Sequence, residues 1–209
     1  MFAPGAGWRL IPSVVASALL LVPVALLPPG LERHLFLLLL IVALLVTGFL
    51  AWFFRDPDRE PGPDIVSAAD GRVMAAGVSD GRWQIAVFMN VTDVHVNRFP
   101  LDATVESVRD GGDGFRPAYA PDAVHNVRRH YRLATQLGPV EVVQMTGIAA
   151  RRLVALVRAG DSREKGDRLG MILLGSRVDV FLPADRVQCL VTAGQRVYAG
   201  VTPIARAIS

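Results

Sequence analysis

Two long apolar segments near the amino end constrain this chain more than any other feature. Residues 10–28 are apolar apart from two serines, and residues 35–54 are apolar apart from Thr47 and Gly48. Each segment is long enough to cross about 30 Å of hydrocarbon as a helix. Because only a short turn separates them, we expect residues 1–54 to form a membrane hairpin whose two ends lie on the same side of the bilayer.

A secretory signal peptide is the competing interpretation of the first segment. A signal peptide has one short apolar core followed by small residues at a cleavage site. Ala16, Ser17 and Ala18 could serve as such a site. A second and longer apolar segment follows, however, and the two segments together favour a membrane anchor.

The arginines next to the hairpin indicate its orientation. Arg9 precedes the hairpin and Arg55 and Arg59 follow it, whereas only Arg33 lies in the turn. Positive residues close to membrane segments are enriched on the cytoplasmic side. We therefore predict a cell-membrane protein whose remaining chain lies on the cytoplasmic side.

The hairpin is followed by a change in composition. Residues 55–63 hold prolines and a glycine, which end a helix and make a stiff, polar linker. From residue 64 onward the chain shows short alternating segments, with Gly or Pro between them and without a sustained helical period. We predict a mainly β, sandwich-like domain over residues 64–209, with strands at 72–78, 83–91, 103–108, 140–145, 150–157, 178–182, 187–191 and 196–199.

Composition limits the kinds of site this domain can hold. The single cysteine, Cys189, rules out an internal disulfide. The chain has no CxxC pair and no His/Cys cluster, which argues against a structural zinc site, and we predict no metal. The net charge is only +3 and Lys165 is the one lysine. This modest charge singles out no partner, and we predict no nucleic-acid partner.

One stretch of the predicted sheet carries many polar side chains. Residues 90–100 hold Asp93, His95 and Asn97, which the alternation of a strand puts on one face. Such a face is either exposed to solvent, at an edge that ends at Pro100, or part of a functional site. The stretch alone leaves both interpretations open.

A Gly-Ser pair precedes another predicted strand. Val178, Val180 and Leu182 alternate with charged residues, so Ser176 lies at the start of a strand with one buried face. Taken alone, Gly175 and Ser176 are typical of a turn. The nucleophile elbow of α/β-hydrolases is disfavoured, because that motif needs a second glycine and a following helix.

Two further features have an ordinary interpretation when each is considered singly. Asp70, which precedes Gly71, is typical of a turn. Residues 115–133 form a basic segment without apolar periodicity, which predicts a long loop. Beside a membrane anchor the arginines of such a loop can meet lipid phosphates, and a solvated loop is the alternative.

Together these motifs resemble the phosphatidylserine decarboxylases, and most closely the short form of that family with a membrane hairpin. The matching stretches follow one another in the expected order along the chain. They are residues 53–57 (FFRDP), Asp70 with Gly71, 90–100 (NVTDVHVNRFP), 147–152 (GIAARR) and 168–180 (RLGMILLGSRVDV).

The chain departs from the family pattern at two places. Residues 126–128 (NVR) look like a degenerate version of an Asn-Glu-Arg stretch that is usual in the short form. Longer members have a second histidine where this chain has Arg98. Only His95 is therefore carried over from that motif.

The resemblance implies an enzyme that makes its own cofactor. Ser176 would attack the carbonyl of Gly175, and the chain would split into a large chain, residues 1–175, and a small chain, residues 176–209. The small chain would begin with a covalent pyruvoyl group derived from Ser176. This group would form a Schiff base with phosphatidylserine and accept the electrons released with CO2, which gives phosphatidylethanolamine.

The resemblance also implies roles for the polar residues. Asp70 with His95 is expected to form the base system, Asp93 is the runner-up, and His95 is expected to protonate the product carbanion. From residue type, Asn97 and Arg98 are candidates for binding the phosphate or carboxylate of the substrate. A homo-oligomer is compatible with the sequence, which does not determine the oligomeric state.

Two alternatives remain open. Another pyruvoyl-dependent decarboxylase could act on a soluble amino acid, although the hairpin disfavours such a substrate. A non-enzymatic, membrane-anchored β domain would hold Gly175 and Ser176 in an ordinary turn.

Overall fold

A computed structural model of the protein describes residues 1–148, 152–173 and 176–208. The chain divides into two compact units, Met1–Pro57 and Asp58–Ser209. The division falls within residues 55–63, the stretch with the prolines.

The first unit consists of two helices, α1 over Gly7–Leu26 and α2 over Leu31–Phe53. By length and composition, both are long and apolar enough to cross a membrane. Many of their leucine side chains are exposed, and in water that apolar surface would be strongly unfavourable. The surface suggests association with a membrane, and the predicted pair of apolar helices is confirmed.

Two small hydroxyl groups face each other between the two helices. The hydroxyls of Ser17 and Thr47 lie 3.4 Å apart across the pair. Each hydroxyl also donates to its own helix, Ser17 to the carbonyl of Ser13 and Thr47 to that of Ala43, both at 2.8 Å. Hydroxyls bonded in this way leave no strong polar group exposed to lipid.

The second unit is mainly β, as predicted. A short 3-10 helix over Pro121–His125 interrupts the strands. The strands of the described residues are β1 Ile65–Val66, β2 Gly71–Ser79, β3 Arg82–Met89, β4 Val96–Arg98, β5 Ala103–Gly111, β6 Arg128–Thr135, β7 Gly138–Thr146, β8 Leu153–Ala155, β9 Ser162–Arg163, β10 Arg168–Ile172, β11 Ser176–Pro183, β12 Val187–Cys189, β13 Arg196–Val197 and β14 Pro203–Ala207.

The described residues of this unit form three antiparallel sheets. The large sheet has eight strands in the order β13-β2-β3-β11-β7-β6-β5-β9, and the two small sheets are β4-β10-β8 and β1-β14-β12. One hydrophobic core takes side chains from all three sheets. We call the face of the large sheet that contributes to this core the inner face.

The alternating pattern of the central strands accounts for this core. Val178, Val180 and Leu182 of β11 are fully buried, and they share the inner face with Val142 of β7 and Ile85 of β3. Burying a side chain of this size stabilises the folded state by about 1.5–3 kcal/mol. These strands therefore form the rigid centre from which Ser176, the first residue of β11, projects.

The prediction of a loop over residues 115–133 is wrong at its carboxyl end. Strand β6 begins at Arg128 and pairs with both β5 and β7. Tyr131 and Leu133 are fully buried on the inner face, while Arg132 between them faces outward. The loop prediction rests on length and on a lack of apolar periodicity, but at 128–133 a period-two pattern is present, which the charged residues obscure.

Strand β10 was not predicted, although it lies at the centre of a small sheet. Leu169, Met171 and Ile172 are all buried, because β10 is flanked by β4 and β8 and covered by the large sheet. A strand buried on both faces lacks the polar alternation on which the sequence analysis relied. Of the predicted strand 150–157, the described part contains β8.

Candidate active site

Ser176 lies on the inner face of the large sheet at one end of β11. It pairs with Met89 of β3 on one side and with Thr146 of β7 on the other. The residue is fully buried, and its Oγ has no hydrogen-bond partner among the described residues. A buried polar group without a partner costs about 1–3 kcal/mol, so stability does not explain a serine here. Gly175, on the other side of the predicted cleavage bond, lies outside the described residues.

His95 is fully buried just before β4. Its Nδ1 lies 2.9 Å from the carbonyl oxygen of Asp93. Because a carbonyl oxygen only accepts hydrogen bonds, Nδ1 must donate, and a neutral ring then has its basic lone pair on Nε2. That nitrogen is the one that can take up and return a proton.

The backbone brings His95 and Ser176 to the same end of the domain. The carbonyl of His95 accepts a hydrogen bond from the amide of Ile172 at 3.2 Å. Ile172 ends β10 and Ser176 begins β11, so the Cα atoms of these two residues are at most about 15 Å apart along an extended chain. The connection from β10 to β11 therefore starts beside His95 and ends at Ser176.

Asp93 closes the turn that follows β3. Its amide donates to the carbonyl of Asn90 at 2.9 Å, and its Oδ2 accepts from the amide of Asn90 at 2.7 Å. Its Oδ1 pairs with the guanidinium of Arg196. The buried carboxylate thus stabilises the turn, while the carbonyl of the same residue orients His95.

Asp70 is buried at the start of β2 and binds the linker residue Arg59. Its Oδ1 accepts from Nη1 at 2.5 Å and its Oδ2 from Nη2 at 2.8 Å. The amide of Ala199 donates to Oδ1 at 2.8 Å, and Nη1 of Arg59 also donates to the carbonyl of Ala199 at 2.9 Å. Such a two-pronged pairing fixes the orientation of the carboxylate.

The glycine after Asp70 allows β2 to approach β3 very closely. Gly71 has a φ of +149°, and a Cβ there would lie 2.0 Å from the carbonyl oxygen of Phe88. Only glycine fits this position. Because Phe88 directly precedes Met89, the β3 partner of Ser176, this contact puts Asp70 at the same end of the sheet as Ser176.

Asn97 belongs to a buried hydrogen-bond network between β4 and the large sheet. Its Oδ1 accepts from Nε2 of Gln144 at 2.7 Å, and its Nδ2 donates to Sδ of Met89 at 3.6 Å. The hydroxyl of Tyr131 donates to Oε1 of Gln144 at 2.9 Å. Burial raises the pKa of Tyr131 to about 12, so this phenol keeps its proton at neutral pH.

Gly170 of β10 makes room for this network. A Cβ at this position would lie 2.7 Å from Oη of Tyr131 and 2.9 Å from Nε2 of Gln144. The absence of a side chain therefore lets the small sheet approach the large sheet where the polar side chains meet.

Arg98 also lies inside the domain, only 5% exposed. Its Nη1 donates to the carbonyl of Gly166 at 2.9 Å. Its backbone amide donates to the carbonyl of Ala68 at 2.9 Å. These contacts are with the protein itself, and the predicted role of Asn97 and Arg98 in substrate binding stays a prediction.

Several residues at this end of the domain were not predicted as site residues. Gln144 and Tyr131 had a usable signal, because a glutamine or a tyrosine lies at an inward position among valines and leucines. Arg59 was assigned to the linker, and Arg196 was assigned no role. Arg59 lies in a different element from Asp70, and Arg196 lies far from Asp93 in sequence. Only the fold reveals these two pairings.

A groove of about 500 Å³ lies elsewhere, on the outer face of the large sheet. Its walls come from strands β3, β5, β6 and β7. The outward side chains of these strands lie on the opposite face from Ser176, which pairs with inward residues of β3 and β7. The charged residues that line the groove are Arg82, Arg109, Asp110, Arg128, His130, Arg132 and Glu141.

The described side chains offer no ligand set for a metal. Within residues 1–148, 152–173 and 176–208, no three His, Cys, Asp or Glu side chains are grouped so that they could hold an ion. Asp70 and Asp93 each bind an arginine instead.

Comparison with known proteins assigns a family to this arrangement. The family model described as phosphatidylserine decarboxylase matches residues 46–205. The chain belongs to the phosphatidylserine decarboxylase family. The resemblance inferred from the motifs is thereby confirmed, and the matched region contains Asp70, Asp93, His95 and Ser176.

Curated relatives agree with membership in the phosphatidylserine decarboxylase family. A phosphatidylserine decarboxylase proenzyme from Streptomyces avermitilis is 45% identical over 164 residues, which are 78% of this chain and 75% of the relative. One from Thermobifida fusca is 45% identical over 159 residues, 75% of this chain and 73% of the relative. A relative from Halobacterium salinarum, described provisionally as an archaetidylserine decarboxylase proenzyme, is 44% identical over 170 residues, 79% of this chain and 85% of the relative.

Proposed function

We propose that this chain is a proenzyme that cuts itself between Gly175 and Ser176, and that the resulting enzyme converts phosphatidylserine to phosphatidylethanolamine and CO2. Membership in the phosphatidylserine decarboxylase family supports the reaction. The observation that carries the proposal is the buried Ser176, whose hydroxyl has no hydrogen-bond partner among the described residues.

The position of Ser176 fits the pyruvoyl group that the family implies. The residue is held between Met89 and Thr146 by regular strand pairing and is shielded from water. When formed, this group supplies an electron sink for the pair of electrons released with CO2. The chain's own residues must create the group, exclude water and move protons.

Self-cleavage requires Ser176 Oγ to form a bond with the carbonyl carbon of Gly175 while the Gly175–Ser176 peptide bond breaks. The amide becomes an ester and the nitrogen of residue 176 becomes an amine. A base then removes the α-proton of Ser176, and the carboxylate of Gly175 leaves. Hydrolysis of the remaining dehydroalanine releases ammonia, so that the products are chains 1–175 and 176–209.

His95 is the proposed proton carrier. Its Nδ1 is committed to the carbonyl of Asp93, which presents Nε2 as the basic nitrogen. An imidazole that exchanges protons near neutral pH suits the return of a proton to the α-carbon of the product.

Asp70 and Asp93 are proposed to serve the same end of the domain in different ways. We assign Asp70 to the base system for self-cleavage, with Arg59 as the residue that positions it. Asp93 acts through its backbone, because its carboxylate is engaged by Arg196 and by the amide of Asn90.

The two product chains are proposed to stay together. Strand β11 would belong to the small chain, yet it lies in the middle of the large sheet between β3 and β7. Arg196 of the small chain would also remain paired with Asp93 of the large chain. Both contacts survive the loss of one peptide bond.

Residues 1–54 are proposed to anchor the enzyme in the cell membrane, with residues 55–63 as linker and residues 64–209 as a catalytic domain on the cytoplasmic side. The support is the pair of apolar helices and the arginines next to them. A lipid substrate is confined to the bilayer, so an anchored enzyme searches for it in two dimensions. Whether the chain also forms a homo-oligomer stays a prediction.

A second lipid class is a candidate substrate. The relative from Halobacterium salinarum carries the name of an archaetidylserine decarboxylase, and its identity to this chain is similar to that of the relative from Streptomyces avermitilis. Both names contain the same seryl head group, on which the chemistry takes place. Competition between the two lipids for the purified enzyme would rank them.

The mass of the purified full-length protein tests the proposal. We expect two chains divided between residues 175 and 176, with a blocked amino end on the smaller one, and CO2 release from phosphatidylserine. Ser176→Ala should give one intact chain and no CO2. The matched control is Ser107→Ala, at a position on the outer face of the large sheet in β5. The chain with this substitution should split normally. CO2 release by an uncut Ser176→Ala chain would overturn the mechanism.

A further inference from the structure

Exposed apolar side chains gather at the end of the catalytic domain where Ser176 lies. Val91 is 36% exposed and Ile148 is 64% exposed. They follow Met89 and Thr146 by two residues, and those are the strand partners of Ser176. The segments that leave the two neighbouring strands thus both carry an apolar side chain into solvent.

The loop of residues 112–127 adds three further apolar side chains to this end. Phe115 is 40% exposed, Tyr119 66% and Val124 41%. The ring of Tyr119 meets that of Phe88, next to Met89, at a centroid distance of 6.1 Å. We call these five side chains the apex patch: Val91, Phe115, Tyr119, Val124 and Ile148.

A buried asparagine holds this loop in a defined position. Oδ1 of Asn126 accepts from the amide of Arg116, and its Nδ2 donates to the carbonyls of Arg116 and Thr146, all at 2.7 Å. Asn126 itself is fully buried. The loop is therefore fastened to the strand next to Ser176 while its apolar side chains point outward, an arrangement that core packing does not explain.

Arginines accompany the apex patch. Arg116 lies in the same loop and Arg152 in the segment before β8, and both are exposed. The side chain of Arg196, which pairs with Asp93, is 41% exposed. Asp113 is an exposed acid on the loop. Apolar side chains accompanied by arginines match a surface that combines hydrocarbon with phosphate.

We propose that the apex patch is the surface by which the catalytic domain inserts into an anionic phospholipid bilayer, at the end of the domain where Ser176 lies. Grouped exposed apolar side chains on a domain surface mark sites of interaction, and the chain already carries two helices suited to lipid. The inference rests on the proposed function in one respect, since a substrate head group must travel from the bilayer to Ser176. Insertion beside Ser176 shortens that path and keeps the acyl chains in hydrocarbon.

Spin labels on the full-length protein in vesicles test this proposal. In a Cys189→Ser background, Tyr119→Cys and Ile148→Cys each carry one label. Val78→Cys is the control, because Val78 is 56% exposed and pairs with Trp83 at the opposite end of β3. The vesicles contain phosphatidylcholine with phosphatidylserine, and collisions are measured with oxygen, which enters lipid, and with a water-soluble nickel chelate.

We expect the labels at positions 119 and 148 to collide more often with oxygen than with nickel, and the label at position 78 to show the reverse. Frequent collision with nickel at positions 119 and 148 would overturn the proposal, because the patch would then be in water. Exclusion of both agents at these positions would overturn it in favour of burial against a second copy of the chain.

The outcome can be separated from that of the proposed function. Splitting at residues 175/176 and CO2 release are measured on the same labelled proteins, and neither is needed for the collision measurement. If the apex patch lies in lipid but the chain does not split, bilayer insertion is supported and the proposed enzymatic function is contradicted. If the apex patch lies in water but the protein splits and releases CO2, the enzymatic function is supported and bilayer insertion is contradicted.

Discussion

The two ends of the buried inner face of the large sheet differ sharply in the polarity of their side chains. At one end, the inner face of β11 and β7 presents Val180, Leu182, Val142 and Val140, all at most 1% exposed. At the other end, the same two strands present Ser176, Thr146 and Gln144, which are just as buried. We call these ends the apolar half and the polar half.

The polar half contributes less to the stability of the fold than the apolar half. Buried apolar side chains each stabilise by about 1.5–3 kcal/mol, whereas a buried polar group needs partners merely to offset its lost hydration. Gln144, Asn97 and Tyr131 have such partners in one another. The Ser176 hydroxyl has none among the described residues. Gln144, Asn97 and Tyr131 thus form a polar scaffold, whereas the Ser176 hydroxyl is the group proposed to react.

The largest effect is expected from His95→Gln in the polar half. Glutamine retains hydrogen-bonding groups but cannot exchange a proton at neutral pH, so CO2 release per split chain should fall about 100- to 10,000-fold. The control in the apolar half is Val180→Ala, which should lower the free energy of unfolding by about 2 kcal/mol and leave turnover per folded molecule unchanged. Normal turnover by His95→Gln would remove His95 from the mechanism.

An intermediate effect is expected at Asp70 and Arg59. Asp70→Asn should leave most of the chain uncut in an intact-mass measurement, because the amide is not a base. Arg59→Ala should slow cutting by releasing the carboxylate, and removing one partner of a buried ion pair should also cost about 3–5 kcal/mol of stability.

The conservative variant Arg59→Lys distinguishes positioning from bulk stability. It keeps the charge but loses the two-pronged geometry, and we expect it to restore stability more fully than the rate of cutting. Equal rescue of both quantities would show that Arg59 serves the fold alone.

The smallest effect is expected from Tyr131→Phe, within the scaffold. It leaves Oε1 of Gln144 without its donor, which should lower the free energy of unfolding by about 1–3 kcal/mol below pH 10. Burial raises the pKa of Tyr131 in the folded protein to about 12. Unfolded tyrosine, with a pKa of about 10, loses its proton first, so the wild type loses stability as the pH rises from about 10 to 12.

The difference in stability between the wild type and Tyr131→Phe is measured from their unfolding midpoints between pH 8 and pH 12. This difference should become smaller above pH 10, because the wild type loses stability there and phenylalanine does not titrate. Tyr119→Phe, at an exposed position, should follow the wild type throughout. A constant gap over the whole range would contradict the assigned role of the phenol.

Much of the fold was predictable from local pattern. The length of the two apolar segments predicted helices α1 and α2, and the alternation around Val178 predicted β11. The prediction was wrong at β6, where charged residues obscured the alternation of apolar and polar residues. Strand β10 was not predicted, because a strand that is buried on both faces does not show this alternation. Local pattern reports which faces of an element meet water, and it is uninformative when that contrast is missing.

The candidate site was predictable as a set of residues but not as a set of contacts. The motifs directed attention to Ser176, His95, Asp70 and Asp93, and the fold brings them to one end of the domain. The roles suggested for Asn97 and Arg98 came from residue type alone. The structure shows both of them bonded to the protein's own groups.

By itself, then, the sequence determined the apolar hairpin, the β-rich domain and the family, because segment length, alternation and ordered motifs are properties of neighbouring residues. Only the tertiary structure decided that Arg59 binds Asp70 and that Arg196 binds Asp93. It also decided that Asn97 joins Gln144 across two sheets. These contacts depend on strand register and on how closely the layers approach, and both are set by the packing of the whole domain.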